Sequence, residues 1–268
     1  MVKPQLPAGL RDFGPEEVYK RNFIFDKIRS IFEQFGFHPI ETPAFETSAT
    51  LTEKYGEEGD QLLYRILKSG DFLNKVPEEV LNSGDYKQLL PYISDKGLRY
   101  DLTVPLARYV AMNTNQISFP FKRYQFQPVW RADKPQKGRY REFYQCDADV
   151  IGSKSLLYEA ELITLFDRVF DELGIYQVDL EINSRKILMG LAESFGFQDK
   201  FSDFTIALDK LDKIGLEGVK KELDQRGIPS DVLSKIEPVL DQSTSYKEKI
   251  NFLEDYFSEN STGIEGIS

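Results

Sequence analysis

Apolar positions along the chain change their period several times, and each change predicts an element. Over 14–36, GPEEVYKRNFIFDKIRSIFEQFG places Val18, Phe25, Ile28, Phe32 and Phe35 at spacings of seven, three, four and three, with Pro15 in the first turn and Gly36 as a stop. Together with Glu16 and Glu17 at the positive end of the dipole, this predicts an amphipathic helix. FHPIETPAF (37–45) reads as a short extended piece whose two prolines suit a sheet edge or an interface. Residues 46–98 are polar and loop-rich, with no usable period. LRYDLTVPLARYVAMN (98–113) predicts a strand ending near Asp101, then a helix entered through Thr103 with Pro105 in its first turn.

Two stretches then alternate with a period of two, the mark of strands. KRYQFQPVWR (122–131) sets Arg123, Gln125, Gln127, Val129 and Arg131 on one face, and Tyr124, Phe126, Pro128 and Trp130 on the other. YREFYQCDADVIG (140–152) sets Arg141, Phe143, Gln145, Asp147 and Asp149 against Tyr140, Glu142, Tyr144, Cys146 and Ala148. The intervening ADKPQKGR carries Pro135 and Gly138 and predicts a long turn. A helix over 153–174, a strand over 176–183 and a helix over 184–196 capped by Ser184 follow. Past Phe201 the pattern is one short helix after another without a clear strand, so a domain boundary is expected near 200. The closing SENSTGIEGIS carries no helix signal.

Composition narrows the chemistry. With 268 residues, 41% hydrophobic and 29% charged, the chain has the makings of a folded protein with a sizeable core. No apolar run approaches the roughly 18 residues of a membrane span, and the first residues lack a signal-peptide core, so a cytoplasmic protein without a membrane partner is expected. The single cysteine, Cys146, excludes an internal disulfide and reads as an inert packed thiol; the single histidine, His38, excludes an HExxH zinc site. Neither GxxxxGK[ST] nor GxGxxG occurs. The net charge of −10 argues against non-specific nucleic-acid binding over the whole surface. Against that background, Arg131, Lys134, Lys137, Arg139 and Arg141 cluster around one acid, Asp133. A strand face with arginine, phenylalanine, glutamine and two aspartates is either a pocket for a small zwitterion plus a polyanion, or a solvated sheet face with a charged turn.

Four segments in order resemble one family. FKRYQFQPVWRADKP with GRYREFYQCDADVIG resembles the second signature motif of the class II aminoacyl-tRNA synthetases, in the form found in histidyl-tRNA synthetases. LRYDLTVPLARYVAMN is similar to their amino-acid-binding segment, IETPAFE to their first motif and LPAGLRDFGPEE to their opening, in wording closer to the eukaryotic and archaeal branch. The match runs from about Leu6 to Phe197.

The resemblance implies an α+β fold: a mixed, mainly antiparallel sheet flanked by helices over 1–199, then part of an all-helical insertion over 200–268. It implies that Arg131 grips the α-phosphate of ATP and the substrate carboxylate, as the catalytic residue. Asp133 would lie on the adenine side, Arg139 would reach the γ-phosphate and Phe143 would stack adenine. Asp101, Thr103 and Gln145 would surround the α-ammonium of L-histidine, and Asp149 would read the imidazole. The implied reaction is activation of histidine by ATP, with Mg²⁺ assisting, and transfer to tRNA(His) by a homodimer. The family's third motif, its RGLDYYTG-like segment and its anticodon-binding domain have no counterpart in the sequence, so a truncated and inactive part of the enzyme is expected. The alternative is a non-catalytic, histidine-sensing regulatory paralogue that assists ATP phosphoribosyltransferase. A synthetase of the same subclass for another amino acid is a third reading.

Overall fold

The computed structural model describes residues 3–52, 54, 60–180, 182–229, 231–241 and 244–267, in two compact units, Met1–Val178 and Asp179–Ser268. In the first, helix α1 (Pro15–Gln34) begins at Pro15, and Glu17 reaches back to accept the Gly14 N–H at 3.0 Å. Two short strands follow, β1 (His38–Pro39) and β2 (Phe45–Thr47), then a single helical turn, α2 (Ser48–Leu51). The stretch without a usable period contains β3 (Arg65–Leu67), α3 (Glu78–Ser83), α4 (Tyr86–Ile93) and β4 (Ser94–Leu98). Helix α5 (Thr103–Asn113) starts where the sequence places it, and the hairpin strands β5 (Phe121–Trp130) and β6 (Glu142–Ile151) lead into α6 (Leu157–Glu172).

β5 and β6 pair antiparallel in unbroken register from Phe121↔Ile151 to Trp130↔Glu142, with β1 parallel to β5 at the edge. A second antiparallel sheet has the order β2-β4-β3. The hairpin has two chemically distinct faces. Against one lie α1 and α6: Ile31, Phe32, Phe37, Tyr124, Leu165 and Val169 form a core that Phe126, Ala148 and Val150 flank. Burying each large side chain there is worth about 1.5–3 kcal/mol. Phe25 packs between Phe126 and Tyr144 with its ring tilted against both, 5.3 Å from each centroid. The Tyr124 hydroxyl donates to Glu33 at 2.8 Å; burial and that carboxylate push its pKa up to about 12.

The proline-marked segment runs along the sheet edge, with both prolines exposed and Phe37 and Thr42 turned inward. Thr42 is buried and takes part in an amide ladder: its N–H donates to Gln127 Oε1 (3.0 Å), and its hydroxyl accepts from Gln125 Nε2 (2.8 Å). Arg99, also buried, donates to the carbonyls of Thr42 (2.6 Å), Pro43 (3.2 Å) and Pro128 (2.8 Å), fixing the turn before β2 to β5.

Among the described residues the elements of the second unit are all helices: α7 (Arg185–Ser194), a 3₁₀ turn (Gln198–Lys200), α8 (Phe201–Leu208), α9 (Leu211–Gln225, kinked at Gly215), α10 (Asp231–Lys235), α11 (Glu237–Leu240), α12 (Tyr246–Tyr256) and α13 (Ser261–Ile267). Phe204, Val219, Leu223, Val232, Leu233 and Phe257 are fully buried in its core.

Four expectations fail here. The closing segment is a helix, because α13 packs on α7 so closely that a Cβ at Gly190 would meet the Gly263 Cα at 2.7 Å; contact of this kind overrides weak propensity. The same packing draws α7 into the second unit, so the division falls at 178/179 rather than near 200. The stretch 176–183 alternates like a strand but joins no ladder among the described residues, and Tyr176, Val178, Leu180 and Ile182 stay exposed. Ser184 precedes α7 without a side-chain cap. Replacing Gly190 by Val will force α7 and α13 apart. A loss of about 1–3 kcal/mol is expected in urea denaturation followed by circular dichroism, and an unchanged midpoint would contradict this packing.

Candidate active site

The site lies on the hairpin face opposite the hydrophobic core. Register places Arg123 across from Asp149, Gln125 from Asp147, Gln127 from Gln145 and Val129 from Phe143, so the alternating rows read from sequence share one surface. Arg131 follows directly after β5. Its backbone N–H donates to the Arg141 carbonyl (3.0 Å), its Nε to the Tyr100 carbonyl (3.1 Å), and its guanidinium lies 4.2 Å from the Tyr100 ring and 5.2 Å from that of Phe143. Among the described residues it makes no ion pair. It is a cation immobilised by two rings and one carbonyl, with its terminal nitrogens left to meet an anion.

The other members of the cationic run separate by role. Arg139 bridges to Asp133 at 3.2 Å; Asp133 is buried, whereas Arg139 is largely exposed. Arg141 is a structural clasp: its Nε donates to the Asp133 carbonyl (3.0 Å), its Nη1 to Ala8 (3.3 Å) and its N–H to Gly9 (2.9 Å). Gly9 has φ +83° and a Cβ there would meet the Arg141 side chain at 2.8 Å, so glycine permits this close approach of the amino-terminal segment. Lys134 and Lys137 project into solvent.

Asp101 sits ahead of α5, and its Oδ1 accepts the Val104 N–H at 3.1 Å; Thr103, the first helical residue, is exposed. The Gln145 Oε1 is buried and accepts no hydrogen bond among the described residues, an acceptor suited to an ammonium. Asp149 Oδ2 meets Arg123 Nη2 at 2.6 Å. Burial raises the pKa values of Asp147 and Asp149; Arg123 opposes this, while Asp101 and the two carboxylates' mutual neighbourhood reinforce it for Asp147. The structure therefore brings together Asp101, Asp149, Arg131, Phe143 and Gln145 around one sheet face, holds Asp133 with Arg139 in the adjoining turn, and leaves Thr103 at the helix entrance.

A cleft of about 270 Å³ beside this end of the hairpin is lined by Arg11, Phe13, Arg21, Phe25, Phe143 and Tyr144 among others. Arg11 lies 3.9 Å from the Tyr140 ring, and Arg21 lies 4.1 Å from Phe13 and 4.6 Å from Tyr144. Sequence reasoning passed over these stacks and over Arg123. Arg123 was visible only as one member of an alternating row, and nothing local marks a buried arginine.

The histidyl-tRNA synthetase family model matches residues 93–260. The chain belongs to the histidyl-tRNA synthetase family. The histidine–tRNA ligase of Christiangramia forsetii is 57% identical over 265 residues, covering 99% of this chain and 58% of that protein. That of Flavobacterium johnsoniae is 53% identical, covering 99% and 60%. The crystal structure of histidyl-tRNA synthetase from Nostoc sp. PCC 7120 superposes with a TM-score of 0.79 at 30% identity, over all of this chain and 56% of that one. A Bacillus halodurans structure described as an ATP phosphoribosyltransferase regulatory subunit/histidyl-tRNA synthetase gives 0.71 at 18% identity, a likeness of fold. The chain thus spans somewhat under two thirds of the length of the relatives it matches. Close relatives include bacterial proteins, so the eukaryotic and archaeal wording of the motifs does not set the chain apart from bacteria.

Cys146 departs from its expected packing: it is exposed on β6. Desolvation around the sulfur, with Asp147 adding, nonetheless pushes the thiol up to about 12. The thiolate is then scarce below that pH, so iodoacetamide at pH 8 should modify Cys146 at least about tenfold more slowly than free cysteine, as followed by mass spectrometry. Labelling at the free-cysteine rate would show that the thiol titrates normally.

Proposed function

We propose that the chain is the amino-terminal part of a class II histidine–tRNA ligase. In this reading the first unit belongs to its catalytic domain and the helical second unit to its insertion. The observation that carries the reading is Arg131: a fixed guanidinium without an ion pair among the described residues, beside an aromatic ring and at the end of a row of amide and carboxylate groups. Such an arrangement suits a ligand with a carboxylate, an ammonium and a phosphate chain.

The first step needs no general base, because the histidine carboxylate is already ionised at neutral pH when it attacks the α-phosphorus of ATP and expels pyrophosphate. What the site supplies is alignment and charge. Arg131 holds the carboxylate and α-phosphate together as negative charge builds between them. Phe143 offers a face to adenine, with Asp133 on the same side. Arg139 leaves Asp133 to meet the γ-phosphate. Gln145, Asp101 and Thr103 orient the ammonium, and Asp149 accepts from the imidazole. Transfer of the histidyl group to the 3′ end of tRNA(His) follows, with Lys134 and Lys137 available to its phosphates. The enzyme works in the cytoplasm as a homodimer. Mg²⁺, where bound, would screen the phosphates alongside Arg131 and Arg139.

Three measurements test the reading. In the full-length enzyme, Asp149→Ala should raise the KM for histidine by at least about tenfold while the KM for ATP stays within about twofold; an equal loss of both would undo the assignment of Asp149. The 268-residue chain alone should give no measurable histidine-dependent ATP–pyrophosphate exchange. Robust exchange by it would refute the view that residues beyond it complete the site, and proline- or threonine-dependent exchange by the full-length enzyme, without histidine, would refute the specificity.

A further inference from the structure

Arg123 is the least accessible charge of the hairpin, with no exposed surface, and it lies on the ligand-bearing face rather than in the apolar core. Its Nη1 donates to Gln125 Oε1 at 3.3 Å, and its Nη2 stands 2.6 Å from Asp149 Oδ2. The pair lacks the alignment of a hydrogen bond, so attraction between the charges is what holds it. A buried guanidinium is costly, and an apolar side chain of similar size often stabilises a fold as well or better. A pairing of this kind invites a role beyond stability.

Its effect on Asp149 is specific. Oδ2 is fully covered, while the side chain as a whole keeps 35% of its exposure, so a ligand reaches the other side of the carboxylate. Three features of the surroundings favour a proton on Asp149 or oppose it. Burial favours it, Asp101 ahead of α5 favours it, and Arg123 on β5 opposes it; Asp147 on β6 faces the same arginine.

We propose that Arg123 is a positioning residue for amino-acid specificity: it occupies one oxygen of Asp149 and thereby holds the carboxylate as an acceptor aimed at a ligand N–H. The inference rests on the histidine reading above. An ionised carboxylate can only accept, which suits the N–H of an imidazole; a protonated one presents an O–H donor, which suits the side-chain carbonyl of glutamine or asparagine. The charge on Arg123 therefore sets which polarity of side chain the pocket takes, although Arg123 itself touches no substrate.

The test uses ATP–pyrophosphate exchange by the full-length enzyme between pH 6.5 and 8.5. Arg123→Gln should raise the KM for histidine about tenfold at pH 7 and leave the KM for ATP within about twofold. Without the guanidinium, Asp149 holds its proton to higher pH, so the histidine defect should shrink as pH rises. Arg123→Lys, which keeps the charge on a different geometry, should raise only the histidine KM, by about two- to fivefold. In the Asp149→Ala background, Arg123→Gln should add little further loss, since its effect passes through that carboxylate. A merely structural arginine would move both KM values together, show no pH trend and add its loss to that of Asp149→Ala; any of these overturns the proposal. Should Arg123→Gln fail to fold, Arg123→Lys decides: an equal rise in both KM values, or none, overturns it. A wild-type enzyme that ignores histidine sinks the functional reading itself, whereas histidine activation unaffected by Arg123→Gln sinks only this inference.

Discussion

Everything in the first unit depends on the register between the strands 121–130 and 142–151. Side chains alternate across a strand, so a slip of β6 by one residue would turn Ala148 and Val150 away from the helices 15–34 and 157–172 and set Asp147 and Asp149 against them in their place. Such a slip would lose an apolar core and leave charges without water. The core face therefore fixes which side chains share the opposite face, and that face needs no separate device to hold its strands in register. The long turn, with Arg131, Asp133 and Arg139, hangs from the same pair of strands.

Around that hairpin the arginines divide into distinct physical tasks. Arg99 and Arg141 spend their donors on backbone carbonyls and fasten segments that have few ladder bonds of their own: the turn at Thr42–Pro43 and the amino-terminal stretch at Ala8–Gly9. Arg123 is held against a carboxylate, and Arg139 rests on another. Arg131 differs from all of these in being held by a carbonyl and two aromatic faces, which fix its direction without neutralising its charge. The cationic run in an acidic chain is thereby divided: Arg141 is scaffold, Lys134, Lys137 and Arg139 lie at the surface of the turn, and Arg131 is held in place without an ion pair among the described residues.

Much of this was legible in the sequence because it depends on period. The two-residue alternation over 122–131 and 140–152 determined the strands, their antiparallel turn and which side chains share a face; the spacing of Phe25, Ile28 and Phe32 determined the helix ahead of them. Motif wording placed the family, and the match over 93–260 bears that out. The stretch 46–98 was not legible, since its strands of three and five residues are too short to show a period. The closing helix was missed because its stability comes from Gly190 meeting Gly263, a contact between residues far apart in sequence. The apolar alternation over 176–183 misled for the opposite reason: a strand pattern is only half of a strand, and no described partner completes it.

By itself, then, the chain's pattern of polar and apolar residues determined the helix at 15–34, the helix after 153 and the two-faced hairpin with the side chains that share each of its faces. Only the tertiary structure decided how each charge is used. Whether an arginine serves a carbonyl or a carboxylate depends on what lies within about 3 Å of its nitrogens, and those neighbours come from the turn between β1 and β2, from β5 and β6, from the loop before α5 and from the amino-terminal segment, brought together by folding. Arg123, Arg131 and Arg141 look alike along the strand faces; burial against Asp149, stacking on Tyr100 and bonding to Ala8 make them three different residues.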